Sequence, residues 1–499
     1  MTMTYRNPLL LLLLAVSAAM ALQSETNHSA DFERLSQQVQ EMEHASYVNY
    51  KLIATALVFL MQIGFAFLET GYVHYMSANL QLLKNLTDIC ATGMAWMAVG
   101  SKIACLDYDS PVDWGYAWVF AATAGTIVSG SVAGRMHPYA YIVYNAINAA
   151  VLYPTVVALM WGEGREECLP IIDAEFHDFA GCGVVHLFGG FCSLSAVLFT
   201  GPRSTKEEPC KAVQPHNTPV AVLGHMLLFV GWFGFNPGSL ARDEFPDGNL
   251  VGRILRNTVI GGSSGGAIAF IYGSILPKLL APGGQSADLL SLGNGILAGL
   301  VAVTGSCDMD EVGYAMATLG CVGSLACFGT SKLLRSTFCE CRSSCSCLQT
   351  RRKETVVVWW LEDTVDAVGV HGAAGMVGLL LPCAFHPNDI RFPVQLKAAV
   401  IICSIGFFGS SVVFALMRIK QDACTSGVCG CPEDVPFPMT VKQTAMDSGG
   451  ADKEELGIVA YGLGKLSMIT DEINGAPIGV QIRKISGLED RIKAIEQKL

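Results

Sequence analysis

The feature that most constrains this chain is a series of apolar stretches, each about 20 residues long, the length a helix needs to cross the hydrocarbon core of a bilayer. Eleven of them can be counted: 48–70, 83–105, 114–134, 138–161, 179–201, 218–238, 254–276, 286–304, 312–335, 366–383 and 394–418. Lipid offers no partner to a backbone N–H or C=O, so such stretches close their hydrogen bonds internally as helices. The expected fold class is therefore an all-α polytopic membrane protein with eleven transmembrane helices. Composition agrees: 51% of the 499 residues are hydrophobic and only 15% are charged, against roughly 25% charged in soluble domains. The net charge of −11 leaves no footprint for nucleic acid. The 18 cysteines are scattered, mostly in apolar segments, and do not form a small disulfide scaffold.

Residues 1–21 combine a positive Arg6, an apolar core from Leu9 to Val16 and a small-residue end, Ala19-Met20-Ala21. That is the pattern of a secretory signal peptide, too short to span. It places the N-terminus outside, with 22–47 as an extracellular segment. There Phe32, Leu35, Val39 and Met42 fall at helical spacing, predicting a short amphipathic helix. Asn27-His28-Ser29 would be a glycosylation acceptor at Asn27. Lysines and arginines cluster in alternate loops, as the positive-inside rule requires for this orientation. The membrane domain then covers 48–420, and 421–499 is a cytoplasmic tail.

Two cysteine groups fall on the cytoplasmic side: Cys339, Cys341, Cys345 and Cys347, and then Cys424, Cys429 and Cys431. Reduced thiols, palmitoylation or redox chemistry, and a metal site remain open for them. On the outside, Cys105 and Cys168 could pair in an oxidising compartment. At the end of the tail Ile485, Leu488, Ile492, Ile495 and Leu499 step by three and four, a coiled-coil-like seam of barely two heptads or a helix lying on a membrane or partner.

Ionisable residues inside membrane spans are costly and mark function by default. The fifth stretch opens with DFAGCGVVHLFGG (178–190) and the tenth holds VDAVGVHGAAGMVG (365–378), each carrying one histidine among small residues. His186 and His371 thus occupy matching places in two halves of five spans. An odd number per half inverts the topology, so an inverted five-plus-five repeat is expected. An acid precedes each histidine, Asp178 and Asp366, at unequal spacing. A lone buried histidine is usually a structural hydrogen-bonder; two in matching glycine-rich spans point to a pore-lining pair. His225 reads as a helix–helix hydrogen-bonder, and Lys84 with Asp88 as a local pair one turn apart. No nucleotide loop, metal pair or nucleophile elbow occurs, so an enzyme is not expected.

These two motifs, together with GWFGFNPGS (231–239), resemble the ammonium transporters of the Amt/Mep/Rh family, on the Amt side and of eukaryotic type. The resemblance covers roughly 48–420. It implies eleven helices related by a pseudo-twofold axis, a central pore in each subunit, a homotrimer in the plasma membrane, ammonium or ammonia as the transported species, and no cofactor. It also implies roles. Phe120 and Phe235 resemble stacked rings that close the outer mouth. Phe120, Trp161 and Ser239 resemble a recruitment site, and Asp178 the buried acid beside it. His186 and His371 resemble the paired histidines of the pore.

The physics runs parallel. Aromatic faces attract a desolvated cation by up to ~2 kcal/mol. Carrying a bare cation through an apolar pore costs far more, so deprotonation, neutral ammonia in the pore and a proton relay along the histidines are expected. An electroneutral ammonia channel of Rh type, and an ammonium sensor signalling through its tail, are the alternatives.

Overall fold

A computed structural model describes residues 8–105, 110–162, 168, 175–201, 215–242, 245, 247–280, 288–309, 313–336 and 361–425. The four-cysteine loop, Cys429 and Cys431, and the terminal seam lie outside the described residues, as does the side chain of Cys424.

All regular structure among these residues is helical. Helix α1 (Pro8–Tyr72) is followed by α2 (Ala78–Ala95), α3 (Pro111–Ser131), α4 (Pro138–Ile147) and α5 (Tyr153–Trp161). A π turn, Cys182–Leu187, leads into α6 (Phe188–Thr200). Then come α7 (Thr218–Phe235), α8 (Gly248–Phe270), α9 (Leu289–Thr304) and α10 (Tyr314–Ser336). Another π turn, Val368–Ala373, opens α11 (Ala374–Leu380), and α12 (Phe392–Ser404) and α13 (Ser410–Thr425) complete the bundle. Among the described residues, seven helical stretches are long and apolar enough to cross a membrane, and Leu289–Thr304 and Val368–Ala384 are shorter apolar ones.

Starts are written in the sequence. Asn217 accepts from the Val220 amide at 3.1 Å, and Asp247 and Asp288 cap α8 and α9 in the same way. Proline stands in the first turn of α3, α4, α7 and α12, where its missing N–H costs nothing.

The N-terminal region departs from expectation. The apolar run 9–16, the amphipathic segment and the first span are one continuous helix, because neither glycine nor proline interrupts the chain between Pro8 and Gly64. Asn27 falls within it. The expected amphipathic face, Phe32, Leu35, Val39 and Met42, is exposed.

The distribution of polarity is that of a protein in lipid. Leu86, Met94, Met226, Phe408, Val412 and Leu416 are each more than 60% exposed, whereas Glu69, Asp88, Asn145, Arg135 and His186 are almost completely buried. This is a multi-pass membrane protein. The interior charges are paired across helices. Lys84 does not take Asp88 as its local partner: it lies 3.5 Å from Glu69 of α1 and donates to the Ser129 carbonyl at 2.9 Å. Asp88 instead accepts from Thr126 at 2.8 Å and from Asn145. Helix geometry explains the outcome. Both residues lie on the buried face of α2, where neighbouring helices offer better-placed partners than the next turn. His225 bonds across helices as expected, with Nε2 2.9 Å from Asn294 of α9.

Small residues set the two contacts that matter for the site. Helices α1 and α7 touch at Gly71, where a Cβ would lie 2.5 Å from the Ala221 amide nitrogen. The two histidine-bearing segments cross at Gly190 and Gly372, where a Cβ on Gly190 would lie 2.2 Å from the Gly372 nitrogen.

Candidate functional site

At one end of the bundle, Phe120, Trp161 and Ser239 line a single cavity of about 350 Å³ with Tyr116, Tyr153, Phe179, Lys51 and Asp113. The wall is built from α1, α3, α5 and the turn after α7. That turn, Asn236–Ser239, comes where proline ends the helix, and side chains hold the carbonyls it leaves exposed. Tyr50 donates to the Pro237 carbonyl and Lys51 to that of Gly238, both at 2.6 Å. Tyr116 donates to the Phe235 carbonyl at 2.6 Å, and Ser239 donates to the same oxygen at 2.9 Å. With its proton committed, the Ser239 hydroxyl keeps lone pairs that can accept from a cation.

Below the cavity, aromatic rings form a column. Phe120 stacks on Phe235 with centroids 4.1 Å apart and an interplanar angle of 11°. Phe235 meets His186 at 5.2 Å, and His186 meets His371 at 5.1 Å with planes 19° apart. Trp232 flanks His186 at 5.5 Å and is fixed by its Nε1 donating to Thr304 at 3.0 Å. The two imidazoles face each other through Nδ1 atoms 3.1 Å apart. One must carry the proton and the other the lone pair, so the contact itself imposes opposite tautomers. His186 Nε2 is buried and has no hydrogen-bond partner among the described residues. Such a polar atom is rare in a core and fits a group that a passing donor or acceptor can use.

Asp178 stands behind the wall rather than in it. Its carboxylate accepts from the amides of Gly181 at 3.2 Å and of Gly183 and Val184 at 2.9 Å. Its backbone carbonyl receives the Trp161 indole N–H at 3.0 Å. The acid thus caps the turn that carries His186 and orients Trp161.

The counterpart of Asp178 before His371 is Asp363, not Asp366. Asp363 accepts from the Val368 amide at 2.6 Å, and both acids stand eight residues before their histidine. Each capping acid is followed three residues later by a positive φ: Gly181 at 94° and Asp366 at 60°. Asp366 pairs with Arg335 at 2.8 Å and with Asn294 at 3.0 Å. Counting the spacing from His186 would have identified Asp363.

Tyr116, Trp232, Lys51 and Asp113 were also not singled out from the sequence. Tyr116 lies one helical turn before Phe120 and Trp232 one turn before Phe235, a signal available from periodicity. Outside the bundle, Cys105 and Cys168 form a disulfide with Cα atoms 5.9 Å apart, beside the end of α5.

The fold and site are those of a multi-pass helical bundle with an aromatic-lined mouth, an aromatic column and two facing histidines. The sequence profile of the Ammonium Transporter Family matches residues 49–112 and 106–419. Ammonium transporter Amt2 of Archaeoglobus fulgidus is 33% identical over 364 residues, which covers 66% of this chain and 69% of that protein. Ammonium transporter 1 member 3 of Solanum lycopersicum is 29% identical over 421 residues, 76% of this chain and 85% of that one. A solved structure titled Sensor Amt Protein superposes with a TM-score of 0.65 at 23% identity, over 82% of this chain and 98% of its own. The chain belongs to the ammonium transporter family.

Proposed function

We propose that this protein carries ammonium across the membrane by binding the cation at the Phe120–Trp161–Ser239 cavity, removing its proton and passing ammonia beside His186 and His371 while the proton moves along the imidazoles. The single observation that carries this reading is the 3.1 Å contact between the two Nδ1 atoms, reached through a column of rings and ending on an unpartnered Nε2 of His186. The rings offer a weakly bound, dehydrating step for a small cation. The imidazole pair can give and take a proton without moving its heavy atoms. A potassium ion has no proton to release and would cross the apolar column with its full charge, at high cost.

The wider architecture belongs to the same reading. Eleven spans form an inverted five-plus-five repeat around the pore, in a homotrimer of the plasma membrane. Two pairings support the repeat: the first helices of the halves, α1 and α7, pack together, and the matching π turns carry the two histidines. Residues 1–21 serve as the signal, 22–47 lie outside with Asn27 glycosylated, 48–420 form the transport domain and 421–499 lie in the cytoplasm.

The test is current from the protein in liposomes after an ammonium pulse, with a potassium pulse as control. A saturable ammonium current without a potassium response is expected. Replacing both His186 and His371 by alanine should reduce that current at least about a hundredfold, the lower end of what a positioned proton-transfer group contributes. An unchanged current in the double variant rules out the relay.

A further inference from the structure

One cation in the cavity is covalently part of the protein. Lys51 lies inside an apolar stretch, KLIATALVFL, is 5% exposed, and points its ammonium into the mouth beside Ser239. Its Nζ donates to the Gly238 carbonyl at 2.6 Å. It stands 4.5 Å from the centroid of the Tyr116 ring and 5.6 Å from that of Tyr47. Asp113 lies 3.8 Å away and also accepts from Tyr47 at 2.7 Å and from Ser110. Three groups here that suit an ammonium ion, the Gly238 carbonyl, the Tyr116 face and the Asp113 carboxylate, already face an alkylammonium of the same charge.

We propose that Lys51 is a specificity-determining residue: a tethered cation that sets a high external ammonium concentration for loading the cavity. This rests on the transport reading above. Two like charges a few ångströms apart repel, and Asp113 offsets that repulsion only in part because its side chain is 34% exposed and screened by solvent. Lys51 also holds the Gly238 carbonyl that an incoming donor would otherwise use. The cavity therefore favours soluble ammonium only when the external concentration is high enough to compete with the resident one. Asp113 has the opposite effect: it neutralises the tether and keeps the mouth usable.

The experiment is the ammonium concentration dependence of the current for the full chain in liposomes. Lys51→Gln keeps an N–H donor for the Gly238 carbonyl but removes the charge. The half-saturating concentration should fall about tenfold, with the maximal current retained within about twofold. Lys51→Arg, which keeps the charge, should stay near the wild-type value. Asp113→Asn, with Lys51 in place, should raise half-saturation several-fold. A merely structural role would change the maximal current, through the number of folded transporters, and leave half-saturation where it was. An unchanged half-saturation in Lys51→Gln overturns the proposal. Should that variant fail to reach the membrane, an unchanged value in Asp113→Asn does so. A wild-type protein with no ammonium current overturns the transport reading, and this inference with it.

Discussion

Asp178 and Asp363 stand in the same relation to the two central histidines: each lies eight residues ahead and gives its carboxylate to the backbone of the π turn that carries the imidazole. A π turn leaves amide groups unpaired at its start, and a buried charged acceptor is the strongest way to satisfy them. The carboxylates thus fix the position of the rings from behind the turns that carry them.

Replacing Asp178 by alanine should therefore destabilise the fold by about 3 kcal/mol, the upper range for a hydrogen bond to a charged group, since three buried amides lose their acceptor. Asp178→Asn keeps one acceptor oxygen and should cost about half as much. Thermal melting of the detergent-solubilised protein reads both. Equal melting of Asp178→Ala and wild type would show that the cap is not needed to hold the turn.

The crossing of the histidine segments makes a sharper prediction. A methyl group on Gly190 would lie 2.2 Å from the Gly372 backbone nitrogen, so the segments must separate. A methyl group on Gly372 would meet nothing closer than 3.5 Å. Gly190→Ala should cut ammonium current at least about tenfold, in line with the cost of misplacing reacting groups by about an ångström. Gly372→Ala should keep more than about half of it. Current normalised to surface protein is the measure, and equal effects of the two would contradict the close crossing.

The Cys105–Cys168 disulfide closes a loop of sequence separation 63. Chain entropy assigns such a cross-link about 4 kcal/mol. Reduction, or serine at both positions, should lower the melting temperature. It should leave the half-saturating ammonium concentration within about twofold, because neither sulfur lines the cavity. A variant that melts like wild type would indicate that the loop is already held by other contacts.

His177 supplies a pH dependence. Burial by itself would lower its pKa, but the hydrogen bond and charge of Asp308, 3.1 Å away, outweigh burial and hold the imidazole above its ordinary value. A group whose folded pKa is raised adds stability that is complete below its unfolded value, about 6.5, and is lost as pH rises through the folded one. Melting temperature should thus decline from pH 6 towards pH 8, and Asp308→Asn should flatten that slope. A slope that survives the substitution would assign the dependence to another group.

Much was legible from the sequence because membranes constrain sequences one stretch at a time. The apolar stretches required helices, the proline and aspartate positions marked several starts, and two histidines among glycines stood out because a polar group in lipid must have a reason to be there. The motifs around His186, Phe235, Ser239 and His371 carried the family resemblance. What the tertiary structure decided was partnership. Lys84 lies one turn from Asp88 in sequence yet turns to Glu69, because buried charges choose the nearest desolvated partner across helices rather than along one. Asp366 looked like the mate of Asp178 until the fold gave that place to Asp363. Lys51 was not singled out from the sequence; only the approach of α1, α3 and the Asn236–Ser239 turn makes it a cation inside the mouth. Period and composition are local properties of a chain, but the distance between two charges is set by how helices pack, and packing joins residues far apart in the sequence.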